Sequence, residues 1–167
     1  MVVHRGAPRS SLSKIMSVNA CAQWRGRVEG PVVFTNGVFD ILHSGHVEVL
    51  ERARNEGAAL VVGINSDASV KRLKGESRPI CREEQRMIVV AAMECVDAVV
   101  MFEEDTPIAV VNAIQPDVIV KGGDYTVDTV VGRDVVQARG GRVVIVPVLD
   151  GYSTTSIITS IIERIRD

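Results

Sequence analysis

Aromatic residues are scarce in this chain: one Trp, two Tyr and three Phe make up 4% of its 167 residues. That argues against a protein that stacks single-stranded nucleic acid on aromatic platforms. A surplus of positive charge is also missing. Nineteen Lys and Arg stand against 21 Asp and Glu, a net charge of −2, whereas a dedicated nucleic-acid binder is usually basic. The three cysteines, Cys21, Cys81 and Cys95, are odd in number and share no metal-ligand spacing. They read as reduced thiols of a cytoplasmic protein rather than as a disulfide framework or a zinc site. No stretch approaches the ~18 apolar residues of a membrane span, and no apolar core of a secretion signal follows Arg5 and Arg9. A G-x-G-x-x-G fingerprint is absent too, which argues against a nicotinamide-dependent oxidoreductase.

What is present is a set of short, apolar, β-branched runs separated by helical patterns. Pro31–Thr35, Leu60–Ile64, Ala98–Met101, Val118–Val120 and Val143–Val146 read as five buried strands. Between them the periodicity predicts helices from Ser44 towards Gly57, from Asn65-Ser66-Asp67 onward, over about 83–93, after Thr106-Pro107 and near 132–139. Ser44 is the expected cap of the first of these, and Thr106 with Pro107 the expected opening of another. A last helix carries Ile157, Ile158, Ile161, Ile162 and Ile165 on one side. Residues 1–30 read as an extension, partly helical or flexible, and 31–167 as the domain. Continuous apolar strands alternating with helices imply an α/β fold: a Rossmann-like, doubly wound, five-stranded parallel sheet with helices on both faces. Ligands of such sheets bind beyond the carboxyl ends of the strands.

Four segments there carry chemistry. Thr35-Asn36-Gly37-Val38-Phe39-Asp40-Ile41-Leu42-His43-Ser44-Gly45-His46 puts two imidazoles around a glycine at a strand-to-helix junction. Helix-start amides and the helix dipole attract an anion there, Gly45 lets it approach the backbone, and imidazoles can donate to it as charge builds. A zinc pair is also conceivable at this spacing, but no third ligand is evident. From Lys71 to Arg82 there are five cations and one carboxylate, which reads as a mobile basic loop able to clamp a polyphosphate. Lys121-Gly122-Gly123-Asp124-Tyr125 offers glycines against which a nucleoside can lie, with Asp124 to accept from ribose hydroxyls. Gly151-Tyr152-Ser153-Thr154-Thr155-Ser156 crowds hydroxyls at a helix start, more than a cap needs and suited to phosphates.

On these residues the chain resembles the cytidylyltransferase-like nucleotidyltransferases marked by H-x-G-H. The segments S-R-P, E-E-D-T-P and K-G-G-D-Y are similar to the branch that adenylylates heptose 1-phosphate. The resemblance runs from about Val32 to Ile165. Many members are fused to a sugar-kinase domain, for which 167 residues leave no room, so the resemblance is to the stand-alone form. It implies transfer of AMP from ATP to D-glycero-D-manno-heptose 1-phosphate, giving ADP-heptose and pyrophosphate, with Mg²⁺ arriving on ATP and a homodimer as the assembly. It implies catalytic roles for His43, His46 and Lys74. ATP contacts are implied at Asn36, Gly37, Phe39, Gly45, Lys71, Arg86, Lys121, Gly122, Asp124, Ser153, Thr154 and Thr155, and sugar-phosphate contacts at Asp40 and Arg78. The pattern departs from the family at Val38, where a cysteine is usual. The sibling that transfers CMP to glycerol 3-phosphate typically has an arginine where Val148-Leu149-Asp150 stand, which disfavours that alternative. A nucleotide-binding module without catalysis is the other alternative.

Overall fold

A computed structural model describes residues 10–123, 125–147 and 153–166. β-Branched apolar residues dominate the five strands, β1 (Val32–Gly37), β2 (Ala59–Asn65), β3 (Ala98–Phe102), β4 (Val118–Gly122) and β5 (Arg142–Val146), which form one sheet in the order β3-β2-β1-β4-β5. All pairings are parallel. The order reverses between β1 and β4, so the switch point falls where the first and third of the four chemical segments emerge. Strands β1 to β4 run one or two residues further than their apolar runs. Asn36, Gly37, Asn65, Lys121 and Gly122 thus belong to strand ends.

The described residues form seven α-helices: α1 (Val18–Arg25), α2 (Ser44–Arg54), α3 (Asp67–Lys74), α4 (Glu83–Ala91), α5 (Ile108–Ile114), α6 (Arg133–Gln137) and α7 (Thr154–Arg166). Alternate strand residues feed two cores, as a doubly covered sheet requires. Phe34, Val61 and Val100 face Cys21 of α1, Val110 and Val111 of α5 and Val136 of α6. Val33, Leu60 and Val62 face Leu50 and Ala53 of α2 and Val90 and Ala91 of α4. No residue of α7 is buried, so its isoleucine stripe does not enter either core. No helix among the described residues is long and apolar enough to cross a membrane.

Residues 10–30 pack on the sheet. Ile15 bridges to Val99 in parallel, Met16 N–H donates to the Val99 carbonyl at 3.0 Å, and Cys21 is fully buried. Arg25 Nη2 reaches both Asp117 carboxylate oxygens, at 3.0 and 2.8 Å. The same carboxylate accepts from Val32 N–H, which ties α1 to the starts of β1 and β4.

Three local expectations are corrected. The residue capping α2 is His43, with no side-chain bond, and Ser44 is already helical. Pro107, not Thr106, stands at the cap position of α5, again without a side-chain bond. The basic loop is half helix: Lys71 to Lys74 form the last turn of α3, where cations meet the negative end of the dipole. Gly75 ends that helix at φ 94°, a conformation open to glycine.

Candidate active site

A cleft of roughly 480 Å³ opens at the carboxyl ends of the strands, above the switch point. Thr35, Asn36 and Gly37 of β1, Asn65 of β2 and Lys121 and Gly122 of β4 form its floor. Phe39, His43, Gly45 and His46 close one side, Leu73 and Lys74 of α3 another, and Asp105, Thr106, Pro107, Tyr125, Thr129 and Val131 the rest.

The histidine end is built by the turn ahead of α2. Phe39 adopts φ 49°, strained for a bulky residue, and its ring lies 5.3 Å from that of His46. A Cβ at residue 37 would sit 3.1 Å from that ring, so any larger residue there would press on Phe39. The His43 and His46 rings stack with centroids 3.9 Å apart, tilted by 30°. Both Nδ1 atoms are buried with no partner among the described residues. Burial lowers the pKa of both imidazoles. For His46 the nearby His43 and Lys74 add to burial, Asp40 opposes weakly, and the value falls to about 4. The pair is therefore neutral at pH 7. The first intrahelical bond runs from His46 N–H to the His43 carbonyl at 2.9 Å, which leaves the Ser44 and Gly45 amides ahead of it facing outward.

Opposite, Lys121 donates to the main-chain carbonyl of Asn36 at 3.1 Å, and its ammonium lies 5.4 Å from the Tyr125 ring centroid. Burial brings its pKa down to about 8. Lys74 enters from α3, and α3 is held from below. Ser69 Oγ accepts from Asn65 Nδ2 and donates to the Glu104 carbonyl, while Arg72 pairs with Asp105 at 2.8 Å. Arg72 thus ties the last turn of α3 to the β3–α5 connection.

Of the residues singled out from the sequence, Asn36, Gly37, Phe39, His43, Gly45, His46, Lys74, Lys121 and Gly122 line this one cleft. Asp124 lies outside the described residues, as do Gly151 and Tyr152. Lys71 does not line the cleft; its ammonium points to Glu76 at 3.8 Å. Ser153, Thr154 and Thr155 do not line it either. Ser153 Oγ accepts from Ser156 N–H at 3.0 Å and caps α7. Thr154 Oγ1 donates to the Ile41 carbonyl at 3.4 Å, which brings the start of α7 beside the turn carrying His43.

Two charged residues expected at phosphate and sugar are turned into the protein. The side chain of Arg86 is fully buried. It donates to the carbonyls of Cys81, Val38 and Asn65 and to Asp67, at 3.0, 2.6, 2.8 and 2.7 Å. Four of its five N–H groups are thereby engaged. Asp40 is turned inward as well. Its carboxylate is 1% exposed and accepts from Arg78 Nε at 2.8 Å and from the amides of Ile80 and Cys81. Burial alone would raise its pKa; the Cys81 and Ile80 amides and Arg78 outweigh that and hold it below the usual carboxylate range. Arg78, bound to Asp40, is absent from the cleft lining. The sequence reading missed Asn65, Leu73, Asp105, Thr106, Thr129 and Val131 as lining. Asn65, next after an apolar run, and Thr106, a few residues beyond another, stand where a parallel sheet binds its ligands and could have been marked.

Mg²⁺ was expected with ATP. Among the described residues no three His, Cys, Asp or Glu side chains group to hold a metal. The one carboxylate lining the cleft among the described residues, Asp105, is already paired with Arg72. The side chains here fit an ion carried in on a triphosphate rather than a resident one.

The cytidylyltransferase-like family matches residues 34–164. Over 156 residues the chain is 51% identical to the bifunctional protein HldE of Syntrophotalea carbinolica, which covers 93% of this chain and 31% of that protein. It is 58% identical over 137 residues to the HldE of Rhodopseudomonas palustris, covering 82% and 28%. The chain therefore spans about a third of the length of these curated relatives. A lipopolysaccharide core biosynthesis protein from Thermoplasma volcanium superposes with a TM-score of 0.60 at 30% identity, over 75% of this chain and 100% of that one. Pantoate-beta-alanine ligase from Francisella tularensis superposes at 0.58 with 15% identity, over 92% and 79%, a likeness of fold alone.

Proposed function

The chain belongs to the cytidylyltransferase-like family, and on that premise we propose that it transfers the adenylyl group of ATP to a heptose 1-phosphate. The observation that carries this reading is the pair of stacked, neutral imidazoles at an open helix start, sharing one cleft with the ammonium groups of Lys74 and Lys121. A phosphate oxygen of the sugar attacks the α-phosphorus of MgATP in line. The new P–O bond forms as the bond to the bridging oxygen of the β-phosphate breaks, and pyrophosphate leaves. Such a reaction needs positioning and charge neutralisation more than a covalent nucleophile. His43, His46 and the Ser44 and Gly45 amides would meet the charge gathering on the α-phosphate. Lys74 would neutralise the triphosphate, and the hydroxyls of Ser153, Thr154 and Thr155, beside the His43 turn, would receive the leaving pyrophosphate. Phe39 and Gly37 shape the turn that aims the imidazoles.

The heptose acceptor rests on the S-R-P, E-E-D-T-P and K-G-G-D-Y segments and is supported by the likeness to a lipopolysaccharide core biosynthesis protein. We place the reaction in the cytoplasm, where ATP is made, and expect a homodimer, which sedimentation would read as twice the 18.1 kDa chain. The test is an assay of ATP and CTP against a panel of sugar 1-phosphates and glycerol 3-phosphate, read by the mass of the product. ADP-heptose is expected from ATP, and preference for CTP with glycerol 3-phosphate would refute the assignment. In the same assay His46→Ala should lose ~10²–10³ in pyrophosphate release, the cost of removing one charge-stabilising donor.

A further inference from the structure

The floor of the cleft contains an acceptor that no donor reaches. Asn36 Oδ1 is buried, and among the described residues nothing donates to it. The residue itself is firmly placed: it pairs with Gly63 on β2, where a Cβ would come within 3.2 Å of the Asn36 Cβ. Its main-chain carbonyl holds the Lys121 ammonium at 3.1 Å. A stranded acceptor and a cation with donors to spare therefore lie within one residue's span of each other. Buried acceptors without partners are rare because they forfeit a bond that water supplied in the unfolded chain. The partner of this one must be a donor. Phosphate oxygens are acceptors, so Asn36 Oδ1 does not serve phosphate. The Lys121 ammonium, a donor only, can.

We propose that Asn36 and Lys121 together recognise a sugar hydroxyl beside a phosphate, the hydroxyl donating to Asn36 Oδ1 and a phosphate oxygen accepting from Lys121 Nζ. Asn36 is then a specificity residue that distinguishes a hydroxylated ligand from its deoxy counterpart. The inference rests on reading this cleft as the transferase site. Both substrates offer such a pair: in an aldose 1-phosphate the 2-hydroxyl sits on the carbon next to the one bearing phosphate, and in ATP the ribose 3′-hydroxyl lies two carbons from the phosphate-bearing C5′.

The experiment is calorimetric binding to the full chain of ATP, 2′-deoxy-ATP, 3′-deoxy-ATP and a purine analogue lacking the 6-amino group. Heptose 1-phosphate and its 2-deoxy form make the second arm. One deoxy ligand is expected to bind about tenfold more weakly than its parent, the loss of one well-placed hydrogen bond, and the arm in which this occurs identifies the source. Asn36→Leu should bind that parent about tenfold more weakly and no longer distinguish it from the deoxy form. Lys121→Met should weaken both members of the pair alike. The proposal is overturned if the wild-type protein binds every deoxy ligand within twofold of its parent. Sensitivity to the 6-amino group alone, or retained discrimination in Asn36→Leu, would overturn it too. The wild-type comparisons need no variant to fold. They also need no turnover, so failure to form a nucleotide sugar would count against the proposed reaction and not against this recognition.

Discussion

At the scale of the residue, the chain separates charges that act outward from charges that act inward. Lys74 and Lys121 face the cleft, whereas Arg86 and Asp40 spend their bonding capacity on the protein. Arg86 joins the β1 turn, the end of β2, the start of α3 and the Cys81 segment through four hydrogen bonds. Arg86→Met should therefore cost ~3 kcal/mol or more in stability, as breaking a buried pair does, read as a shift of the urea midpoint. ATP affinity of the fraction that stays folded should change little. Loss of affinity at unchanged stability would restore Arg86 to the phosphate site. This is also where the sequence was least legible. A sequence shows that a residue is arginine, but burial and the direction of its fork come from packing between segments far apart in the chain. His43 and His46 were readable because three-residue spacing at a helix start fixes their mutual position locally.

At the scale of the element, strands and helices were legible wherever hydrophobic period and length agreed, as in β2 and α4. Capping was less so. Thr106 and Ser44 carry good capping hydroxyls, but the tertiary path starts the helices one residue away from where each hydroxyl could serve. The turn between α6 and β5 offers a sharper case, since Gly140 and Gly141 look alike in sequence. Gly140 has φ 80° and nothing within 4 Å of an added Cβ, whereas a Cβ at Gly141 would lie 2.2 Å from the Asp117 carbonyl oxygen and 2.6 Å from a Val136 methyl. Gly140→Ala should cost about 1 kcal/mol, the left-handed penalty. Gly141→Ala should cost up to ~3 kcal/mol, because backbone must move to relieve the overlap. Equal midpoints in thermal melts of the two variants would contradict this packing.

For the whole molecule, the fold class and the converging loops could be read from five apolar runs, but the role of the leading segment could not. Its weak periodicity hides a fully buried Cys21, a parallel bridge to the edge strand β3 and the Arg25–Asp117 pair. A chain beginning at residue 31 would expose the core face under α1 and the Val99 edge. It should unfold without a cooperative transition by circular dichroism, while the full chain melts sharply. A sharp melt of the shortened chain near that of the full one would show the segment to be dispensable.

The burial of Lys121 reaches beyond geometry. An unliganded cleft with Lys121 near 8 carries less charge at pH 8 than its residue list suggests. An arriving polyanion raises that value, so the protein must draw hydrogen ions from the surrounding solution as nucleotide enters. At pH 8 Lys121, partly ionised beforehand, would account for uptake of a fraction of a proton. The heat of ATP binding should then differ between Tris and phosphate by that fraction of their ionisation enthalpies, and equal heats in the two buffers would mean the cleft was charged from the outset.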